Sequence, residues 1–400
     1  MFSVDSDYIV KNRRQLHMYP ETDFDMPRTV ALIKQELEAM GIPYTEQYGE
    51  GSVVGYINPD CKKFTIGIRA DTDALNMDEV NDIPYKSRIP GKMHACGHDA
   101  HTAMLLGAAK ALKEMENTLD CRVLLVFQPS EEGVKSGARM MLDNGIEDEI
   151  DVIIAQHVSP ELEIGEIGLI YGYANACSRH FSIEITGKSA HAAAPHTGID
   201  ALAIAMRMYN AIQLIGMREV NPRDNIVCSV NKLEAGTTHN VVAAQAVMKG
   251  TIRTFDLDVS RFLIERIEKI GKGLAEETGA TITVHGPLKS ACVYNNPYLA
   301  ERMHKTAEKV VGAENVKIVP RRYGSEDFSL FGQVIPAAMF RLGVGNKEKG
   351  IISKVHYRDF MLDEDALQIG AKTLVQFVVD HQSGIDCEKA KESDERNQKS

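Results

Sequence analysis

At 400 residues, 44% hydrophobic and 25% charged, the chain is long enough for two globular domains, or for one domain carrying a large insertion. A net charge of −11 argues against nucleic acid or an anionic membrane surface as partner and is read as ordinary solubility. No window approaches the length of a membrane span, and the opening stretch, with Asp5 and Asp7, lacks the apolar run of a secretory signal. The cysteines at 61, 96, 121, 177, 228, 292 and 387 are odd in number and scattered, which suits reduced thiols in a cytoplasmic protein.

The first portion alternates helix and strand. Tyr8–Met18 and Pro27–Met40 read as amphipathic helices, the second ending at Gly41. Strands are expected at Ser52–Ile57 and Phe64–Ile68, with a turn at Asn58-Pro59-Asp60 between them. Met104, Leu105, Ala108, Ala109, Leu112 and Met115 recur at helical spacing and predict a helix over Thr102–Glu114. Apolar runs at Arg122–Phe127 and Val152–Ala155 add strands of the kind buried on both faces of a parallel sheet. Such sheets carry their sites at the carboxyl ends of their strands.

Near residue 176 the pattern changes. A strand at Ser178–Thr186, a helix at Ile199–Met217, strands at Asn225–Leu233 and Ala243–Thr254, a helix at Leu257–Glu277 and a strand at Thr281–Val284 give the order β-α-β-β-α-β. That order fits a small α+β sandwich with an antiparallel sheet. The expected organisation is an α/β domain over residues 1–176, an insert over 177–288, the resumed α/β domain over 289–382, and a frayed, charge-rich tail over 383–400.

Chemistry concentrates in Met93-His94-Ala95-Cys96-Gly97-His98-Asp99-Ala100-His101. A Cys-x-His pair about a glycine can turn both side chains to one point, as a compact metal chelate requires. An isolated Cys or His would read as a satisfied core residue. Here further acids and histidines stand at strand ends: Arg69-Ala70-Asp71-Thr72-Asp73, Gln128-Pro129-Ser130-Glu131-Glu132-Gly133, Gln156-His157, and His356 after the Ala337–Arg341 run. Several strand ends presenting ligand types at once point to one shared metal site.

Taken together, the motifs resemble the M20-type metallopeptidases, specifically the amidohydrolase branch that holds hippurate hydrolases, N-acetyl-amino-acid deacylases and plant auxin-conjugate hydrolases. The resemblance rests on Arg69-Ala-Asp-Thr-Asp-Ala-Leu75, His94-Ala-Cys-Gly-His-Asp-Ala-His101, Phe127-Gln-Pro-Ser-Glu-Glu-Gly133, Gly187-Lys-Ser-Ala-His-Ala-Ala-Ala-Pro-His196, Gly250-Thr-Ile-Arg253 and Gly324-Ser-Glu-Asp-Phe328, and it runs to about residue 380. It implies a two-metal catalytic domain with an inserted lid or dimerisation domain.

By the same resemblance Cys96 stands where most relatives have a metal-bridging aspartate, and His98, Glu132, His157 and His356 complete the ligand set. Thiolate, imidazole and carboxylate suit Mn, Zn, Co or Ni without choosing among them. Glu131 is implied as the general base, Asp73 as an acid that orients a ligand or the base, His191 as the oxyanion donor, and Asn240 and Arg253 as the grip on the substrate's carboxylate. Arginine suits that task through its planar fork of donors. His94 and His101 are expected to be hydrogen-bonding neighbours and His196 a turn residue; Gly324–Asp327 is expected to line the site near the metals without an assigned role, and Asp71 is unassigned. The implied reaction is metal-dependent hydrolysis of a small N-acyl-amino acid by a homodimer joined through the lid. A dipeptidase or an N-acetyl-diaminopimelate deacetylase is the alternative enzyme. A metal-binding module without turnover is the alternative of another class, against which an intact Glu131 speaks.

Overall fold

The computed structural model describes residues 2–394. The described chain divides into two compact units, one made of residues 2–172, 294–320 and 327–394, the other of residues 173–293 and 321–326.

The first unit is an α/β domain around an eight-stranded sheet. Its order is Tyr44–Thr45, Val53–Ile57, Arg122–Gln128, Thr65–Asp71, Val152–Glu163, Ala337–Gly345, Ile167–Leu169 and Val316–Ile318. The four central strands, from Arg122–Gln128 to Ala337–Gly345, run parallel to one another, and the strands that flank them, Val53–Ile57 and Ile167–Leu169, pair with them antiparallel. Every residue of Thr65–Asp71 is buried, so helices and loops cover both faces, as continuous apolar runs demand. Two strands outrun their predicted ends. Thr65–Asp71 continues three residues past Ile68, and Val152–Glu163 carries His157 inside the strand, opposite Arg341. The pairing with Ala337–Gly345 sustains that strand after the apolar run stops.

The helix expected from Thr102 begins four residues earlier, at His98, and runs to Glu114. Gly97 caps it with a φ of 84°, and a Cβ there would lie 2.5 Å from Val158 Cγ2. Only glycine tolerates both the backbone and the approach. The turn that begins this helix therefore sets Cys96 and His98 on either side of one tight corner.

The second unit has the predicted β-α-β-β-α-β order, with an antiparallel sheet ordered Thr281–His285, Cys177–Thr186, Gln245–Thr254, Ile226–Ala235. Phe181, Ile183, Ile185, Met248 and Ile252 pack against Ile204, Met208, Ile212, Leu263 and Ile267 of the helices Ala201–Arg218 and Leu257–Thr278. Asp200 and Asp256 cap those helices by accepting backbone N–H bonds, which moves the first start from Ile199 to Ala201. This unit begins at residue 173 rather than 177 and ends at 293 rather than 288. It also takes in residues 321–326, where Arg322 exchanges backbone bonds with Ala174 and Ala176.

Within the expected tail, Cys387–Glu392 is a helix capped by Asp386, and buried Asn296 donates from Nδ2 to Ala390 O at 2.6 Å. Residues 395–400, the rest of that expected tail, lie outside the described residues.

Candidate active site

In the first unit, the loops after two parallel strands and the start of the His98–Glu114 helix converge. Asp71 and Gln128, the last residues of adjacent strands, stand in register. Beyond Gln128 the chain turns through Ser130, whose φ of 51° is unusual for a residue with a side chain. Ser130 Oγ donates to Lys135 O at 2.7 Å, and Gly137 N–H donates to Ser130 O at 3.1 Å, holding the turn closed. The result aims Glu131 and Glu132 inward. His356, which also has a positive φ (66°), is anchored by its N–H to Ala95 O at 2.8 Å. Strained backbone of this kind persists where its surroundings over-determine it.

Cys96 is the hub. Its Sγ lies 3.5 Å from His157 Nε2 and 3.3 Å from His356 Nε2. Cys96, His98 and His157 form one group of donor atoms within 4.8 Å of one another, and Cys96, Glu132 and His356 form a second. Donors bound at 2.0–2.3 Å to a tetrahedral cation stand about 3.3–3.8 Å apart, so the Cys96 distances match a chelate. One sulfur shared by two groups is what a bridging ligand between two cations requires.

Surrounding bonds fix the ring orientations. His157 Nδ1 donates to Val158 O at 2.8 Å, which leaves Nε2 as the lone-pair nitrogen on the Cys96 side. His98 Nδ1 lies 3.3 Å from Asp73 Oδ1, and its buried Nε2 has no hydrogen-bond partner. An orphaned imidazole nitrogen inside a donor cluster fits a metal ligand. Asp73 also accepts the backbone N–H groups of Glu131 and Glu132, each at 3.0 Å. One carboxylate therefore aligns a histidine and both members of the Glu-Glu pair.

The electrostatics suit cations. Burial, with Glu132 close by, pushes the Cys96 thiol up. Bonds to Cys96 and Glu132 raise His356 to about 10, against the opposing effect of burial. Burial and Arg341 hold His157 well below the usual histidine range, so it is neutral. A neutral imidazole is ready to bind a cation, whereas Cys96 and His356 must lose protons when one arrives.

His101 is excluded as a ligand by its own bonds. Val158 N–H donates to its Nε2 at 2.9 Å, so Nδ1 carries the proton given to Asp71 at 2.6 Å. Asp71, without a role from sequence, accepts this bond and one from Arg69 Nη1 at 2.8 Å. His94 is buried, with both ring nitrogens unpartnered, and burial lowers it to about 3.

The remaining expected site residues lie in the second unit. His191 is exposed, on a loop bridged to Val241, and Ala193 N–H donates to its Nδ1 at 3.0 Å. The ring proton of neutral His191 therefore resides on Nε2. Asn240 O accepts from Ala192 N–H at 3.0 Å, which places Asn240 beside that loop. Arg253 is half-buried near the end of the Gln245–Thr254 strand and donates to Tyr323 O at 2.8 Å. His196 falls in the exposed turn Pro195–Thr197.

Two residues that sequence reasoning left without a function are central here. Arg69 and Asp327 are both buried and bond to each other at 3.0 Å. Both lie in quoted motifs, but their meeting depends on tertiary structure.

Comparisons with known proteins show the family of the chain. Residues 67–380 match the model of peptidase family M20/M25/M40. The chain is 36% identical over 370 residues to the IAA-amino acid hydrolase ILR1-like 4 of Arabidopsis thaliana, covering 91% of this chain and 83% of that protein. It is 34% identical to thermostable carboxypeptidase 1 of Saccharolobus solfataricus, covering 91% and 93%. Among solved structures, the YXEP protein of Bacillus subtilis, described as a dinuclear metal-binding peptidase from the M20 family, superposes with a TM-score of 0.81 at 29% identity, covering 94% of this chain and 97% of that one.

Proposed function

The chain belongs to peptidase family M20/M25/M40 and is a hydrolase of amide bonds, and on that premise we propose that it cleaves an N-acyl-amino acid to a carboxylic acid and a free amino acid, using two divalent cations. The observation that carries this reading is the Cys96 sulfur shared between two donor groups with Glu131 beside them. Cys96, His98, Glu132, His157 and His356 would hold the cations, with Cys96 common to both donor groups. When bound, the cations would lower the pKa of a water molecule toward neutrality and polarise the amide carbonyl.

The chain's own residues do the rest. Glu131 accepts the water's proton and returns it to the leaving amine. Asp73 fixes the backbone from which Glu131 and Glu132 project by accepting both their N–H groups. His191 Nε2–H serves as the donor to the oxyanion when the lid closes, and Asn240 and Arg253 hold the substrate carboxylate. The substrate class is supported by two relatives, an IAA-amino acid hydrolase and a carboxypeptidase, whose names both describe release of an amino acid.

We assign a homodimer through the second unit. Supporting it, the Ala201–Arg218 helix exposes Leu202, Met206, Leu214 and Met217, the last at 72%. All seven cysteines are free thiols, which supports the cytoplasm, and no helix among the described residues is long and apolar enough to cross a membrane.

The test is release of free amine from N-acetyl, N-benzoyl and dipeptide substrates with Mn, Zn, Co or Ni, with and without chelator. The Glu131→Gln variant is expected to keep fold and metal yet lose roughly two to four orders of magnitude in kcat. Loss of metal in that variant would mean that Glu131 and Glu132 have exchanged roles.

A further inference from the structure

We infer that Asp327 is a positioning residue for the base: its backbone N–H holds the Glu131 carboxylate, and its own side chain is pinned so that this N–H stays in place. The inference rests on the assignment of Glu131 as base.

The bond at issue runs from Asp327 N–H to Glu131 Oε1 at 3.3 Å. At its other end Glu131 is tied by its own N–H to Asp73 Oδ1 at 3.0 Å. A glutamate side chain has three rotatable torsions, and a base must stand within hydrogen-bond reach of one particular proton. Clamping the backbone alone leaves the carboxylate free to swing, and the Asp327 N–H supplies the second constraint.

What makes that N–H a fixed point is the Asp327 side chain. It is 4% exposed and saturated with donors. Oδ1 accepts from Arg69 Nη2 at 3.0 Å and from Gln128 Nε2 at 2.8 Å. Oδ2 accepts from Ser136 Oγ at 2.6 Å, from Gln128 Nε2 at 3.0 Å and from Ala138 N–H at 3.3 Å. With both oxygens engaged in this way, Asp327 is poorly placed to bind a metal or move a proton. The partners are themselves held: Arg69 Nε donates to Gln128 Oε1 at 2.9 Å and Nη1 to Asp71 Oδ2 at 2.8 Å. Arg69 thus ties the aspartate that orients His101 to the aspartate that orients Glu131. Such a network, fully satisfied and buried, is rigid. The Gly324–Phe328 motif acquires a purpose in this way, through a backbone atom rather than through the carboxylate that makes it conspicuous.

The experiment is a double-mutant cycle with Asp327→Ala and Glu131→Gln in the metal-loaded full chain, measuring kcat, KM and metal content. A misplaced catalytic group costs up to about 100-fold, so Asp327→Ala is expected to lower kcat roughly 10- to 100-fold with KM and metal stoichiometry unchanged. In the Glu131→Gln background the same substitution is expected to add less than about twofold, because the group it positions is gone. Unchanged kcat in Asp327→Ala overturns the inference, as does an equal loss in both backgrounds, which marks a role independent of the base. If Asp327→Ala does not fold, Asp327→Asn takes its place. It keeps the shape but turns a donor toward Gln128 or Ser136, and is expected to lose roughly 3- to 10-fold in kcat at constant KM. An Asn variant with wild-type kcat likewise overturns the inference. Failure of the underlying reading looks different: Glu131→Gln alone then retains turnover.

Discussion

The two units hold their proposed site residues in opposite ways. In the first, each is braced by another group: His157 by Val158 O, His98 and both glutamate N–H groups by Asp73, His356 by Ala95 O. Cys96, His98, His157 and Asp73 are buried, Glu131 and Glu132 are half-buried and His356 is exposed, and the turns that carry them include strained backbone at Ser130 and His356. In the second, His191 and Asn240 are exposed and bonded within their own neighbourhood, His191 to Ala193 and Asn240 to Ala192 and Thr238. One site is preorganised, and the other keeps an imidazole with its Nε2 proton unspent. The contrast is between donors held by buried neighbours and donors that face solvent on a surface loop.

The sharpest way to break the contrast is at His191. If its Nε2–H reaches the oxyanion on closure, His191→Ala should lower kcat by about two to three orders of magnitude with metal content intact. Mixing that variant with Glu131→Gln then asks whose His191 is used. Should a partner chain supply it, each mixed dimer has one site with both defects and one with neither, and activity returns to about half per mixed dimer, the intact site regaining full transition-state stabilisation. Verified subunit exchange with no recovery would place His191 within its own chain or outside the reaction.

The matching test in the first unit is Cys96→Ser. A hydroxyl ionises far less readily than a thiol, so the bridge between the two donor groups is lost. Removing a partner of a metal ligand typically costs roughly 10- to 100-fold in affinity, and removing the shared ligand should cost at least the upper end of that. Elemental analysis and metal titration read it directly; unchanged stoichiometry and affinity remove Cys96 from the ligand set.

Legibility in the sequence followed distance along the chain. Cys96, His98, Glu131 and Glu132 could be singled out because each sits in a short motif after a strand or before a helix, and both the sheet and the β-α-β-β-α-β insert follow from periodicity. Periodicity places the start of the His98–Glu114 helix at Thr102 because His98 to His101 carry no apolar stripe; Gly97 and the tertiary setting start it at His98. His157 reads as a residue after a strand because the apolar run stops there, while the Ala337–Gly345 partner carries the strand on. The pairing of Arg69 with Asp327 spans 258 residues, and the bond from Asp327 to Glu131 uses a backbone N–H, which no residue type announces. Residues 321–326 join the second unit by backbone bonds, equally silent in composition.

The smallest expected effect asks whether the stability of the first unit has a pH dependence of its own, away from the metal cluster. His381 ends the Leu367–His381 helix, its ring edge-on to Phe377 at 4.6 Å between centroids, and its buried Nε2 lacks a hydrogen-bond partner. Burial lowers it to about 4; Asp380 opposes the shift, and Arg302 and Lys309 reinforce it. An unfolded histidine titrates near 6.5. Between those values the unfolded chain binds a proton that the native chain does not, so stability rises with pH across the window and falls as pH drops from about 6.5 toward 4. The ring is partly exposed, and solvent screening keeps the effect to about 1 kcal/mol or less. His381→Gln removes the titrating group without emptying the site. Urea midpoints at pH 7 and pH 4.5 should therefore differ less in the variant than in the parent chain, and equal differences would show that other groups set the acid limb.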